Sequence, residues 1–178
     1  MRHYIIAHYN EDLKWRNYQW TLVVTGYGDL PDRETVITKG KNIPNIGREA
    51  SSWLLWIINN YCDLPYEVTF LQGNPFEHTT MEEITSPVDS SYQRHGQLLE
   101  CDQYGNPHHG GLHLTTPLSI MGLSTSHPIK FCMGAQFTCS KEQILKYPYE
   151  KWAALFNYSI QEPNAPWELE RCWETILS

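Results

Sequence analysis

Apolar residues in this chain recur either in short β-branched runs or at helical spacing, and the two patterns alternate. The first run, Tyr4 to Ala7 (YIIA), gives way at once to the polar cluster HYNED, His8 to Asp12. A buried strand that ends in polar residues is the usual start of an open α/β sheet, with ligand chemistry at its carboxyl end. Thr21 to Thr25 (TLVVT), closed by GYGD, and Thr35 to Thr38 (TVIT), closed by Gly40, predict two further strands. From Gly47 to Tyr61, the residues Ala50, Trp53, Leu54, Ile57, Ile58 and Tyr61 recur at helical spacing, and Pro65 cannot continue that helix. Tyr66 to Leu71 (YEVTFL) predicts a strand that ends in QGNPFEH, Gln72 to His78. Ile129 to Cys132 and Ala135 to Cys139 predict two short strands. Ser140 starts a helix with Glu142 in its first turn, Tyr149 to Tyr158 is helical, and Pro166 stands near the first position of a last helix, WELERCWETIL. Periodicity fades from Thr79 to Thr125 among Ser, Thr, Gly, Pro and His, so residues 79–125 are expected to form a long irregular loop, functional or mobile. The layer pattern predicts one α/β domain over residues 1–178, a central mixed sheet flanked by helices.

Length and composition agree with a globular domain: 178 residues, 41% hydrophobic and 19% charged. Aromatics reach 13%, with seven Trp and eleven Tyr, which suits either an aromatic core or a ring-binding cleft. The net charge of −7 and 13 scattered basic residues argue against bulk binding to nucleic acid or to an anionic membrane surface. No apolar run approaches the roughly 20 residues of a membrane span, and no leader pattern opens the chain. Five cysteines, odd in number and without CxxC spacing, read as free thiols. Together these features predict a soluble cytoplasmic protein.

Three polar clusters follow predicted strand ends: HYNED, QGNPFEH and the GAQF turn. In an open α/β sheet such ends line one crevice. Asn10, Glu11 and Asp12 offer a ribose- or base-binding edge, or a helix cap in the case of Asp12. Arg48, in NIGREA, could pair with a diphosphate through its planar fork, or lie solvated on its helix. Gln72 and Asn74 stand where paired aspartates usually hold a cation, and amide oxygens are weaker Mg²⁺ or Mn²⁺ ligands than carboxylates. Glu77 and His78 could supply the missing charge, and a metal-free site is equally allowed. His108, His109 and His113 in HHGGLH offer imidazoles for zinc without a fixed-spacing partner motif. Glu168 and Glu170 are two apart on a helix, so at most one faces a given site. No Walker loop, GxSxG elbow or Rossmann GxGxxG is present, so nucleotide hydrolysis, esterase chemistry and dinucleotide redox chemistry lack support.

Several of these segments also resemble a family. IIAHYNEDLKW, NIPNIGREASSWLLWIINNYCDLP, VTFLQGNPFEH, FCMGAQFTCSKEQIL and ELERCW fall in the order of the phrases ARYNED, NxGREAxxYL, FxQGxPFxH, GAQFxVSRExI and LERLW. Those phrases mark a GT-A-like family of largely uncharacterised proteins, found in fungi, algae, bacteria and large viruses. The resemblance spans both ends of the chain and skips residues 79–125. It implies a GT-A glycosyltransferase fold and transfer of a sugar from a nucleotide-sugar donor to a hydroxyl acceptor. That acceptor would be a glycan, a small molecule or, in a viral protein, a hydroxylated DNA base flipped from its stack. The donor would be held by Tyr9, Asn10, Glu11, Asp12, Arg48, Gln72 and Asn74, with Mn²⁺ or Mg²⁺ as the candidate cations. By position, Glu170 would be the catalytic carboxylate, a base or, with retained configuration, a nucleophile, and Gln136 and His78 would sit on the acceptor side with the 79–125 loop. The chain departs from the pattern in lacking the aspartate pair and in being short for the class. Two alternatives follow: a non-catalytic nucleotide-sugar-binding module, and a metal-dependent hydrolase using HHGGLH.

Overall fold

Alternation along the first strand already assigns its two faces. Ile5 and Ala7 point into the main apolar cluster, while Tyr4 and Ile6 point into a smaller one on the opposite face. In the computed structural model, which describes residues 2–16, 33–39, 45–88, 90–125 and 127–178, this strand is β1 (Arg2–His8). A 3-10 turn at Leu13–Trp15 follows, then β2 (Arg33–Thr38), α1 (Arg48–Asn60), β3 (Glu67–Gln72) and a second 3-10 turn at Pro75–Glu77. Next come α2 (Met81–Thr85), β4 (Tyr92–Arg94), β5 (Leu98–Cys101) and α3 (Thr115–Met121). The chain closes with β6 (Ile129–Cys132), β7 (Phe137–Ser140), α4 (Lys141–Leu145), α5 (Tyr149–Gln161) and α6 (Ala165–Leu177). The predicted strand Thr21 to Thr25 lies outside the described residues.

The central sheet is mixed, in the order β2-β1-β3-β7-β4. β2, β1 and β3 run parallel; β7 is antiparallel to β3, and β4 is antiparallel to β7. β5 and β6 form a separate antiparallel ribbon. Both faces of the parallel part are covered, as buried parallel strands require. The larger core packs Val68 and Phe70 of β3 with Trp53 of α1, Trp152 of α5 and Trp173 of α6, all buried. The smaller core joins Leu71 to Ile84 of α2, with Leu13 and Trp15 against them. Among the described residues Trp53, Trp56, Trp152 and Trp173 are buried, so the core takes up much of the tryptophan. All five cysteines are free, and only Cys62 is exposed. Among the described residues no helix is long and apolar enough to cross a membrane.

The 79–125 segment differs from the expected irregular loop, since it carries α2, β4, β5 and α3. These elements are three to seven residues long, too short for a period of 3.6 or 2 to stand out. One local signal was present all the same. Thr80 and Glu83 form a reciprocal capping box at the start of α2.

Behind β7 lies a buried imidazole. His95 is fully buried, its Nε2 shares a 2.7 Å hydrogen bond with Thr138 Oγ1, and Nδ1 has no partner among the described residues. Burial, reinforced by the charge of Arg2 and opposed by Glu83, pushes its pKa down to about 4 from 6.5. Between those values the unfolded chain binds the proton and the folded one does not, so stability rises with pH across that window. Lowering the pH from 7 to 4.5 is expected to remove about 2–3 kcal/mol through His95 alone. Urea unfolding of wild type and His95→Gln at both pH values isolates this contribution; equal losses in the two proteins would refute it.

Candidate functional site

The chain leaves β1 for β2 on one side and then crosses by α1 to β3 on the other. The carboxyl end of β1 is therefore a topological switch point, where open α/β sheets form a crevice. A cavity of about 310 Å³ opens there, at the lower end of the size range of small-molecule sites. Three segments build it: Ala7, His8, Tyr9 and Glu11 after β1; Lys39, Asn45, Arg48 and Glu49 between β2 and α1; and Gln72, Asn74 and Glu77 after β3.

The segments after β1 and β3 hold each other in place. Glu11 folds back so that its Oε2 accepts from Tyr9 N at 2.6 Å. It also lies over Gly73, where a Cβ would stand 2.5 Å from that carboxylate oxygen, so only glycine permits the approach. Trp15 Nε1 donates to Gly73 O at 2.7 Å, and its ring meets Phe76 edge-on at 5.4 Å. His8 bridges outward, with Nδ1 3.1 Å from Thr38 Oγ1 and Nε2 3.1 Å from Glu11 O. Asn74 Nδ2 donates to Glu77 Oε1 at 3.0 Å.

The third wall is the start of α1. Gly47 (φ 74°) and Arg48 (φ 47°) are both left-handed, a sharp turn that glycine eases. A Cβ on Gly47 would meet Ser159 O of α5 at 2.5 Å, so the turn is pressed against that helix. The Arg48 guanidinium lies 3.6 Å from Glu49 Oε2 and 5.8 Å from the Trp167 ring of α6. Burial holds the Glu49 carboxyl above the usual carboxylate range; the nearby charge of Glu170 adds to this, and Glu49's own backbone N–H, Arg48 and Lys39 oppose it.

Tyr9, Glu11, Arg48, Gln72 and Asn74 thus meet around one cavity. The other anticipated residues do not line it. Asn10 is exposed outside the lining. Asp12 caps the Leu13–Trp15 turn by accepting from Lys14 N at 2.9 Å, and it borders an adjoining shallow groove. Gln136, expected beside the acceptor, is fully buried. Its Oε1 accepts from Gln72 N at 3.1 Å and its Nε2 donates to Pro75 O at 3.0 Å, so it braces the cavity floor from behind. His78, also expected there, packs against Gly134, where its ring leaves no room for a Cβ. Glu170 does not reach the lining. Its Oε1 accepts from Gly134 N at 2.9 Å and its Oε2 pairs with Arg171 at 3.0 Å. The phrases QGNPFEH, GAQF and LER are therefore physically joined, and outside the β3 end they form the support of the cavity.

Lys39, Glu49 and Asn45 were not singled out by sequence reasoning. A usable signal existed for Lys39, which stands directly after the TVIT run as His8 stands after YIIA. The histidines of HHGGLH do not converge: His108 Nε2 pairs with Glu100 O at 3.1 Å, His109 lies 5.3 Å from the Trp167 ring, and His113 N donates to the buried Glu168 at 2.8 Å. Among the described residues no group of three or more His, Cys, Asp or Glu is arranged to hold a metal ion. Glu11 and Glu77, the carboxylates after β1 and β3, are each engaged locally through one oxygen. No match was found with a known protein family, with a characterised protein or with a solved structure.

Proposed function

We propose that the chain is a GT-A-like glycosyltransferase whose cavity binds a nucleotide-sugar donor. One observation carries this reading: side chains of the HYNED, NIGREA and QGN segments meet at the carboxyl ends of β1 and β3, around a cavity that contains Arg48. The Arg48 fork matches the diphosphate and offsets the charge that develops on it as the sugar leaves. Exposed Tyr9 at the rim offers a ring face for the base, and Asn45, Gln72 and Asn74 offer amides for sugar hydroxyls. The acceptor hydroxyl must lose a proton as the glycosidic bond forms. We assign this to Glu49, a carboxylate of the lining that burial holds above the usual carboxylate range. Glu170 acts as a positioning group behind it, through charge and through its bond to Gly134.

The engaged carboxylate of Glu170 favours a second reading, a module that binds nucleotide-sugar without turnover. A thermal-shift screen with UDP-, GDP-, CMP- and dTDP-sugars tests both. At about 100 times its dissociation constant a ligand adds about 2.7 kcal/mol, a shift of about 5 °C or more for this size. One donor is expected to give that shift, Arg48→Ala to abolish it, and Glu49→Gln to keep it while losing product. Absence of any shift across the panel sinks the donor-binding reading. A shift without product for any acceptor selects the module.

A further inference from the structure

Building on the reading of this cavity as a nucleoside-diphosphate site, we propose that Lys39 is a second cationic anchor of the cavity, holding phosphoryl oxygens together with Arg48. Lys39 follows β2, and its backbone N donates to His8 O at 2.8 Å, which registers it against the end of β1. It is 4% exposed, yet it lines the cavity. Its ammonium donates to Ser51 Oγ at 2.6 Å and to Ile46 O, both neutral oxygens at the start of α1. Ser51 Oγ in turn donates to Ile46 O at 2.6 Å, so the three groups form a closed set. An ammonium has three N–H donors, and these contacts use two.

Among the described residues, the buried, carboxylate-free surroundings of the Lys39 ammonium point to an anion. A buried ammonium without a counter-charge is costly. Among the described residues no carboxylate lies within ion-pair distance of Lys39. Glu49 acts on it only through space and is itself shared with Arg48 at 3.6 Å. The lining thus carries Lys39 and Arg48 beside Glu11, Glu49 and Glu77, and of these two cations only the exposed Arg48 is paired with a carboxylate among the described residues. At the rim, Glu11 is tied to Tyr9 N and Glu77 to Asn74. Burial lowers the Lys39 pKa to about 8, with Glu49 opposing and Arg48 assisting. At neutral pH the amine is thus mostly charged, and a bound anion would fix its proton. A phosphoryl group suits the pair better than a carboxylate, because it offers oxygens in several directions: two for the planar Arg48 fork and one for the point charge of Lys39.

The test uses inorganic pyrophosphate and the full chain in EDTA at pH 7, with binding followed by calorimetry. Wild type is expected to bind, Lys39→Met to bind at least tenfold more weakly, and Lys39→Arg to recover part of the loss. Because Lys39→Met could unfold, a second measurement uses wild type alone. Pyridoxal 5′-phosphate forms an imine with a lysine amine by loss of water, and borohydride reduces that imine to a stable amine. Peptide mapping is expected to find Lys39 labelled first, with protection by pyrophosphate. Unchanged pyrophosphate affinity in Lys39→Met overturns the inference, as does wild type that fails to bind pyrophosphate. Labelling spread over other lysines without protection also overturns it. Nucleotide-sugar binding that survives Lys39→Met intact would overturn the anchor and leave the glycosyltransferase reading standing. Pyrophosphate binding that depends on Lys39, without any nucleotide-sugar binding, would do the reverse.

Discussion

Gln136→Leu is expected to destabilise the protein by about 2–6 kcal/mol and to abolish ligand binding at the cavity. The side chain is fully buried and bonds both Gln72 N and Pro75 O. Leucine fills similar space but leaves a donor and an acceptor stranded away from water, each costing about 1–3 kcal/mol. The backbone then has reason to shift toward water, and it is the same backbone that presents Gln72 and Asn74 to the cavity. Gln136→Glu buries a carboxyl against Pro75 O, where it must either stay protonated to donate or carry an unpaired charge, so it is also expected to destabilise, more so as the pH rises. Urea unfolding gives the stability change, and a ligand titration of the folded fraction gives the binding change. A Gln136→Leu protein of wild-type stability would show that the two bonds are not what holds the β3 end.

Trp53→Ala is expected to cost about 3–5 kcal/mol, a large share of the 5–15 kcal/mol that typically keeps a domain folded. Trp53 is fully buried at the centre of the larger core. Its ring lies 5.8 Å from Phe70 of β3, 5.9 Å from Phe137 of β7 and 6.2 Å from Trp173 of α6. Its indole N–H donates to Leu71 O at 3.3 Å. One side chain therefore fastens α1 to both the parallel and antiparallel parts of the sheet, and to the last helix. Alanine leaves a void that those surrounding elements cannot all close at once, whereas Trp53→Phe keeps most of the volume and is expected to cost less. Denaturant midpoints of the two variants check this order; equal midpoints would refute it.

The elements that could be read from the sequence are those long or apolar enough to carry their own period. The spacing of Ala50, Trp53, Leu54 and Ile57 marks α1, and all four are buried. YIIA and YEVTFL mark β1 and β3, which began two residues earlier and one residue later, respectively, than their apolar runs. WELERCWETIL marks α6, with Pro166 in its first turn. β4 and β5, at three and four residues, carry no such period, and only pairing with β7 and β6 defines them.

The cavity was legible in part for the same reason. Polar residues directly after a buried strand face a sheet's carboxyl edge wherever that strand sits, and this placed Tyr9, Glu11, Gln72 and Asn74. Whether such a residue lines the cavity or braces it depends on which strands are neighbours. Gln72 and Gln136 look alike in sequence, an amide beside a short strand. β3 beside β1 turns Gln72 to the cavity, and β7 on its other side buries Gln136 beneath it. Lys39 and Glu49 line one cavity only because β2 and α1 both flank β1. The sequence by itself determined the local elements and the polar segments that end them, since periodicity and turn chemistry act over a few residues. The tertiary structure alone decided strand order, and with it which charges share the cavity and which are spent on support, because those contacts join residues far apart along the chain.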